Sequence, residues 1–294
     1  MRKRVPTVIA ILMALTGLSL LLYPTVSDYL KSLAYRRTIS NYIAAVEPMD
    51  GGRSEDLLAA ARAYNERLAE KNTLMLLLSE GEREEYNSLL DIDSTGVIGY
   101  VSVPKVNITL PIYHGTSADV LQSGVGHLEG SSVPVGGPGT HSVLSAHTGL
   151  PSAKLFTNID QLTEGDSFTV RVLKETLTYQ VDQILVVLPN ETDALRIEPG
   201  EDFCTLLTCT PYGVNSHRLL VRGRRVLSPP GEEILPNIGE ENPDNGRLPG
   251  QAGKLGLLII AVLILTVFLY RKRMWKRARR LKKNEKSNQD PPGA

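Results

Sequence analysis

Two apolar runs near the ends of the chain limit what can lie between them. Residues 7–23 carry no charged side chain and follow a basic start, Arg2, Lys3 and Arg4, and then Pro6. As a helix this run spans about 25 Å, near the lower limit for crossing a bilayer. It fits an uncleaved anchor, and it fits a signal peptide with Thr25-Val26-Ser27 as the small-residue cleavage site. Residues 255–270 form a second run, and ten of the sixteen residues at 271–286 are Lys or Arg. Such a block of cations does not follow a buried core helix. Basic flanks stay on the cytoplasmic side, so the chain is expected at the cell membrane, with both termini cytoplasmic and its middle extracellular.

The charge balance sharpens this reading. The 294 residues hold 32 basic and 32 acidic side chains, but the basic ones crowd the ends. Residues 5–253 keep 18 of the bases and 30 of the acids, a net charge of about −12. An acidic body lacks the basic footprint that nucleic acid requires, so no nucleic-acid partner is expected, whereas membrane lipid is. An apolar fraction of 42% excludes a wholly disordered chain. Two cysteines exclude a disulfide-stapled miniature fold and a four-thiolate zinc site. With no close-spaced His/Cys pair, neither a metal nor a cofactor is expected.

The pattern divides the chain into a basic cytoplasmic start (1–6), a transmembrane or signal segment (7–23), a helical region (24–95), a β domain (96–227), a Pro/Gly-rich linker (228–254), a second transmembrane helix (255–270) and a basic cytoplasmic tail (271–294). The helical region repeats apolar residues at helical spacing, and Ser54 is the natural N-cap for a helix carrying Leu57, Leu58, Ala61, Tyr64 and Leu68. From Gly96 onward the signature changes to short strands punctuated by Gly and Pro, expected at 97–103, 108–113, 125–128, 142–146, 168–173, 179–188, 203–208 and 218–226. A hairpin is expected at Lys174-Glu175-Thr176. Eight short strands in so few residues predict a mainly β fold, a sandwich or a closed barrel, and closure removes aggregation-prone edges.

Within that domain the cysteines differ. Cys204 and Cys209 are five residues apart on one expected strand, so they face opposite ways and lie roughly 17 Å apart, too far to bridge. Cys204 reads as a buried packing residue. Cys209 ends its strand just before Thr210-Pro211-Tyr212-Gly213, where a rigid scaffold would present a nucleophile to a loop. A thiol needs a basic or cationic neighbour to react at neutral pH. Arg218 opens the next strand, where a hairpin return would bring it beside Cys209 and aim its fork of donors at a developing oxyanion. Of the five histidines, His147, His114 and His127 lie near strand ends, His141 precedes its strand and His217 adjoins Arg218. Spacing alone does not choose among them.

The stretch Thr205-Leu206-Leu207-Thr208-Cys209-Thr210-Pro211-Tyr212-Gly213, followed by Asn215, His217 and Arg218, resembles the active-site signature of sortases, the cysteine transpeptidases of the Gram-positive cell surface. Further matching motifs occur in family order at 111–116, 124–130 and 142–151. The pattern is most similar to class C, the pilin-polymerising branch, as is the two-anchor layout. The resemblance covers residues 99–226. It implies an eight-stranded sortase-type β-barrel with N-terminal helices, flanked by the two transmembrane segments. It also implies Cys209 as nucleophile, His147 as general acid/base and Arg218 as the stabiliser of substrate and oxyanion. The implied reaction cleaves an LPxTG-like sorting signal between Thr and Gly through a Cys209 thioester. The acyl group then passes to an amine, in class C a pilin Lys. The implied partners are pilin subunits or surface proteins bearing such signals.

Two features modify the resemblance. Class C enzymes carry an Asp-Pro-aromatic lid before the barrel; Glu47-Pro48-Met49 is the nearest text here and matches neither the acid nor the aromatic. The expectation is therefore a site without that plug, or one covered by the helices or a neighbouring molecule. Leu235-Pro236-Asn237-Ile238-Gly239 resembles a sorting signal ahead of an apolar run and basic tail. It supports one rival reading besides a wall-anchoring sortase or a same-fold hydrolase: a non-enzymatic surface protein, itself the substrate that is anchored through that motif. Against it, position four is Ile rather than Thr.

Overall fold

The computed structural model describes residues 5–71 and 78–227, all within one unit, Met1–Ile238. The linker, the second apolar run and the basic tail lie outside the described residues. Helix α1 (Val5–Val46) is a single helix that takes in the first apolar run, passes through Pro24 and continues along the β domain. Its second half is amphipathic: Tyr35, Ile39, Tyr42 and Val46 recur at helical spacing, and all four are buried. Tyr42 anchors it by donating its hydroxyl to Ile98 O (3.1 Å) and accepting the N–H of Leu173 (2.7 Å).

Helix α2 (Gly51–Glu70) begins three residues before the expected N-cap. Asp50 precedes it, and Ser54 is buried inside its second turn, starting the stripe that continues through Leu58, Ala61 and Leu68. A small polar residue at the head of an apolar stripe reads alike as a cap or as part of the helix's buried face, and here it is buried. Asn65 completes the docking: its amide donates to Val133 O (3.0 Å) and accepts from Val133 N–H (2.8 Å). Helix α3 (Glu80–Ser88) opens with a reciprocal capping box between Ser79 and Glu82.

Eight strands follow, β1 (Val97–Val103), β2 (Ile108–His114), β3 (Val125–His127), β4 (Thr140–Ser145), β5 (Ser167–Val172), β6 (Glu175–Val187), β7 (Asp202–Thr210) and β8 (His217–Val226). They close in the order β1-β2-β3-β4-β7-β8-β6-β5, so the expected eight-stranded barrel with N-terminal helices is present. Two neighbouring pairs, β2–β3 and β4–β7, are parallel, and the others are antiparallel. The hairpin after β5 turns at Leu173 and Lys174 rather than at 174–176, because Val172 pairs with Glu175 and Leu173 takes a positive φ of 51°. A short helix, α4 (Ala118–Ser123), precedes β3 and is capped by Ser117 accepting from Val120 N–H. The Ser117 cap was its only sequence signal.

Phe168, Tyr179, Ile98, Ile112, Leu206 and Val221 fill the barrel, all almost fully excluded from water. Gly223 is required by that filling. A Cβ there would stand 2.7 Å from the Phe168 ring and 2.8 Å from Tyr179 Cβ. Gly223→Ala is therefore expected to lower the unfolding free energy by roughly 2–3 kcal/mol through overpacking, read as a reduced denaturant midpoint at unchanged slope.

Candidate active site

The barrel has two ends, and the pairing registers sort residues between them. Val187 at the end of β6, Arg218 at the start of β8, Cys209 near the end of β7 and His147 just past β4 share one end, the mouth. Lys174, Val226 and Asp202 mark the other. Cys209 and Arg218 are direct cross-strand partners. β4 runs parallel to β7, with Ser145 beside Leu207. One residue further, Ala146 N–H donates to Leu207 O (3.1 Å), and Thr208 Oγ1 donates to Ala146 O (2.8 Å). His147 thus leaves the sheet at the level of Cys209.

Side-chain parity places all three on one face. Val143, Leu195 and Leu220 form a small apolar cluster outside the barrel, with Leu185, Val187 and Leu207 packed against it. Alternation along each strand carries His147 to the face of Val143, Cys209 to that of Leu207 and Arg218 to that of Leu220. The β6–β7 connection brings Leu195 over this same face, so the three residues stand at the edge of an apolar wall. Cys209 and His147 are both half-buried, accessible but not fully exposed.

The β7–β8 turn shapes the rest. It opens with a cis Thr210–Pro211 bond and closes with Val214 and Asn215 N–H groups on Pro211 O (3.1 and 2.9 Å). Arg218 Nη1 donates back to Asn215 O (3.2 Å) and His217 O (3.0 Å), which fixes the guanidinium at the root of the turn. Tyr212 folds toward the loop that follows His147: a Cβ on Gly149, which sits at φ +74°, would lie 3.2 Å from its ring. That loop is held by Phe156 N–H on His147 O (3.1 Å).

The remaining histidines have structural duties that spacing did not reveal. His127 is wholly buried; its Nε2–H donates to Ser132 O (2.8 Å), and Nδ1 accepts from the Tyr86 hydroxyl (2.8 Å), which itself accepts Gly115 N–H (2.9 Å). His141 lies inside β4 rather than before it. Its Nδ1–H donates to Arg196 O (2.8 Å), and Nε2 accepts from Thr205 Oγ1 (2.7 Å). Burial holds both rings neutral, pushing each down to about 4. His114 packs edge-on against Tyr86, and His217 Nδ1 meets Ser216 Oγ (2.9 Å) at the exposed turn. Cys204 is fully buried, and loss of hydration pushes its thiol well up. Among the described residues no group of three or more His, Cys, Asp or Glu could hold a metal ion.

The segment Glu47-Pro48-Met49 lies at the end of the barrel away from Cys209, where Met49 O accepts Lys174 Nζ (2.9 Å). The N-terminal helices do reach the mouth elsewhere: Ser27 Oγ donates to Ser152 O (3.1 Å), and Asp28 Oδ1 accepts Lys154 N–H (2.8 Å).

Fold and sequence both match the sortases, whose homologues and solved structures are cysteine transpeptidases. The sortase domain model matches residues 101–226. Sortase C1 from Streptococcus agalactiae is 51% identical, with a TM-score of 0.64 over 66% of this chain and 100% of that one. Clostridium perfringens sortase C, solved with the C-terminal cell wall sorting motif, is 47% identical with a TM-score of 0.58 over 65% of this chain and 99% of that one. Sortase D of Bacillus subtilis is 30% identical over 131 residues, 44% of this chain, and the chain spans 63% of that protein's length. The chain belongs to the sortase family, and its solved neighbours place it with class C.

The two buried histidines give a pH dependence of known sign. Both pKa values fall on folding, so the unfolded chain binds more protons between about pH 6.5 and 4, and stability drops as pH falls through that window. The full effect is on the order of 3 kcal/mol per histidine at the acid end. Denaturation midpoints are expected to be flat from pH 8 to 7 and to decline from pH 6 to 5; a midpoint unchanged at pH 5 would contradict the neutral, buried assignment.

Proposed function

We propose that this protein is a membrane-anchored transpeptidase that cleaves an LPxTG-like sorting signal between Thr and Gly and joins the new carboxyl end to an amine, a pilin Lys in pilus assembly. The observation that carries it is the meeting of Cys209, Arg218 and His147 at one level and on one face of the barrel mouth. The Cys209 thiolate attacks the Thr carbonyl, and negative charge develops on the carbonyl oxygen near the Arg218 fork. The His147 imidazolium gives its proton to the departing Gly amine, leaving a thioester. His147 then takes a proton from the incoming amine, and the amide bond forms as Cys209 is released. Water excluded by the apolar wall around Leu195 and Val187 would otherwise hydrolyse the thioester. The class C neighbours support pilin as the acceptor.

The domain boundaries at 24–95 and 96–227 belong to this proposal, as do cytoplasmic termini, residues 7–23 as anchor and 255–270 as second span. Among the described residues α1 is the one helix long and apolar enough to cross a membrane. A wall-anchoring sortase would share the first half of the reaction and differ only in the acceptor.

Incubation with an LPxTG-type peptide is expected to give a covalent adduct in intact mass on the parent protein and on Cys204→Ala, and none on Cys209→Ala. An adduct that survives in Cys209→Ala would remove it as nucleophile. Arg218→Lys keeps the charge but loses the planar fork, and is expected to lower kcat/KM by about 10²-fold. Omitting the amine acceptor separates transfer from hydrolysis by product mass.

A further inference from the structure

The exposed large apolar side chains among the described residues fall in three places. One group occupies the first part of α1, and Leu227 lies just past β8. The third rims the mouth: Val186 (61% exposed) and Leu188 (45%) at the end of β6, and Tyr212 and Val214 (69% each) in the β7–β8 turn. A patch of this kind beside a reactive thiol is not an accident of a small surface, since the rest of the barrel buries its large apolar groups.

The course of α1 indicates what covers it. Ser27 and Asp28 hold the loop after His147, and Lys31 Nζ donates to Gln122 O (3.2 Å) in α4, just before β3. All three contacts are at the mouth end. Tyr42 binds Ile98 and Leu173, and Met49 meets Lys174, at the opposite end. α1 therefore enters at the mouth and runs away from it along the barrel. Its strongly apolar run ends at Tyr23, and the first charge after it is Asp28, five residues on and an axial rise of about 8 Å away. The lipid headgroup layer is about 5–7 Å thick on each side of the hydrocarbon core.

We propose that the mouth of the barrel docks on the membrane surface, with Tyr212 and Val214 of the β7–β8 turn and Val186 and Leu188 of β6 seated in the headgroup layer beside the point where α1 emerges. The occupant of the apolar rim is the bilayer itself. Tyr29, next to Asp28, and Tyr23, about 9 Å further along α1, are both exposed and bracket this layer, where amphipathic rings favour the lipid–water boundary. The site then opens toward the membrane, so that an acyl donor retained in the same bilayer presents its scissile bond at the level of Cys209. This rests on the reading of residues 7–23 as an uncleaved anchor.

The test uses the full chain in phosphatidylcholine/phosphatidylglycerol vesicles, in a Cys209→Ala background with Cys204 buried. A polarity-sensitive fluorophore is placed through Val214→Cys at the mouth or through Lys174→Cys at the far end, and quenching by headgroup-nitroxide lipid is read beside alkaline extraction. Quenching at 214 and none at 174, in protein that resists extraction, is the expected result. Resistance to extraction with equal or absent quenching at both positions would overturn the docking while leaving the anchor intact. Release by alkali would instead overturn the anchor reading and the docking with it. A change at 214 that follows protein concentration rather than lipid would assign the rim to a second copy and also overturn the proposal.

Discussion

The parallel pairing of β4 with β7 is the constraint on which the site depends. Two parallel strands must be joined by a long connection, and here β5, β6 and the loops around them separate Ser145 from Asp202. Because the strands run the same way, both C-terminal ends arrive at one end of the barrel, and the residues just past them can meet. Thr208 and Ala146 lock that arrival with a side-chain bond to the backbone. β8, returning antiparallel to β7, then sets Arg218 directly opposite Cys209. A slip of one residue in either pairing would turn one of the three side chains into the barrel.

Buried polar contacts hold this frame from outside the barrel. Tyr86 of α3 reaches the His127 ring and the Gly115 amide, and Asn65 of α2 satisfies both backbone groups of Val133. His141 ties β4 to Thr205 of β7 and to the β6–β7 connection through Arg196. In each case one side chain serves two backbone or side-chain partners that would otherwise be left unpaired and costly in a dry interior. On the surface, Arg222 is sandwiched between the Phe203 ring (4.0 Å) and the Asp182 carboxylate (3.0 Å), stiffening β6, β7 and β8 together. The helices are therefore part of the scaffold that aligns the mouth.

Strand positions were largely legible because Gly, Pro and Asn mark most turns, and seven of the eight expected strands differ from those observed by no more than two residues at either end. β6 is the exception, beginning at Glu175 because its hairpin turns on Leu173, a buried leucine at positive φ that no turn rule favours. Ser54 was misread since a cap and the buried face of a helix accept the same small polar residue. The histidines were illegible by spacing: His127 and His141 differ from His147 only in what surrounds them, and those partners come from α3, β7 and the β6–β7 connection.

The sequence by itself determined the apolar run of α1, the alternation that sends Cys204 inward and Cys209 outward, and the turn residues that end β7 just beyond the thiol. These are local properties, set by periodicity and by the conformations that Gly and Pro permit. Only the tertiary structure decided that β4 lies beside β7, that α1 enters at the mouth and leaves toward the far end, and that Val186, Leu188, Tyr212 and Val214 share one rim. Those relations join residues tens to over a hundred positions apart, and they follow from barrel closure, which no short stretch of chain encodes.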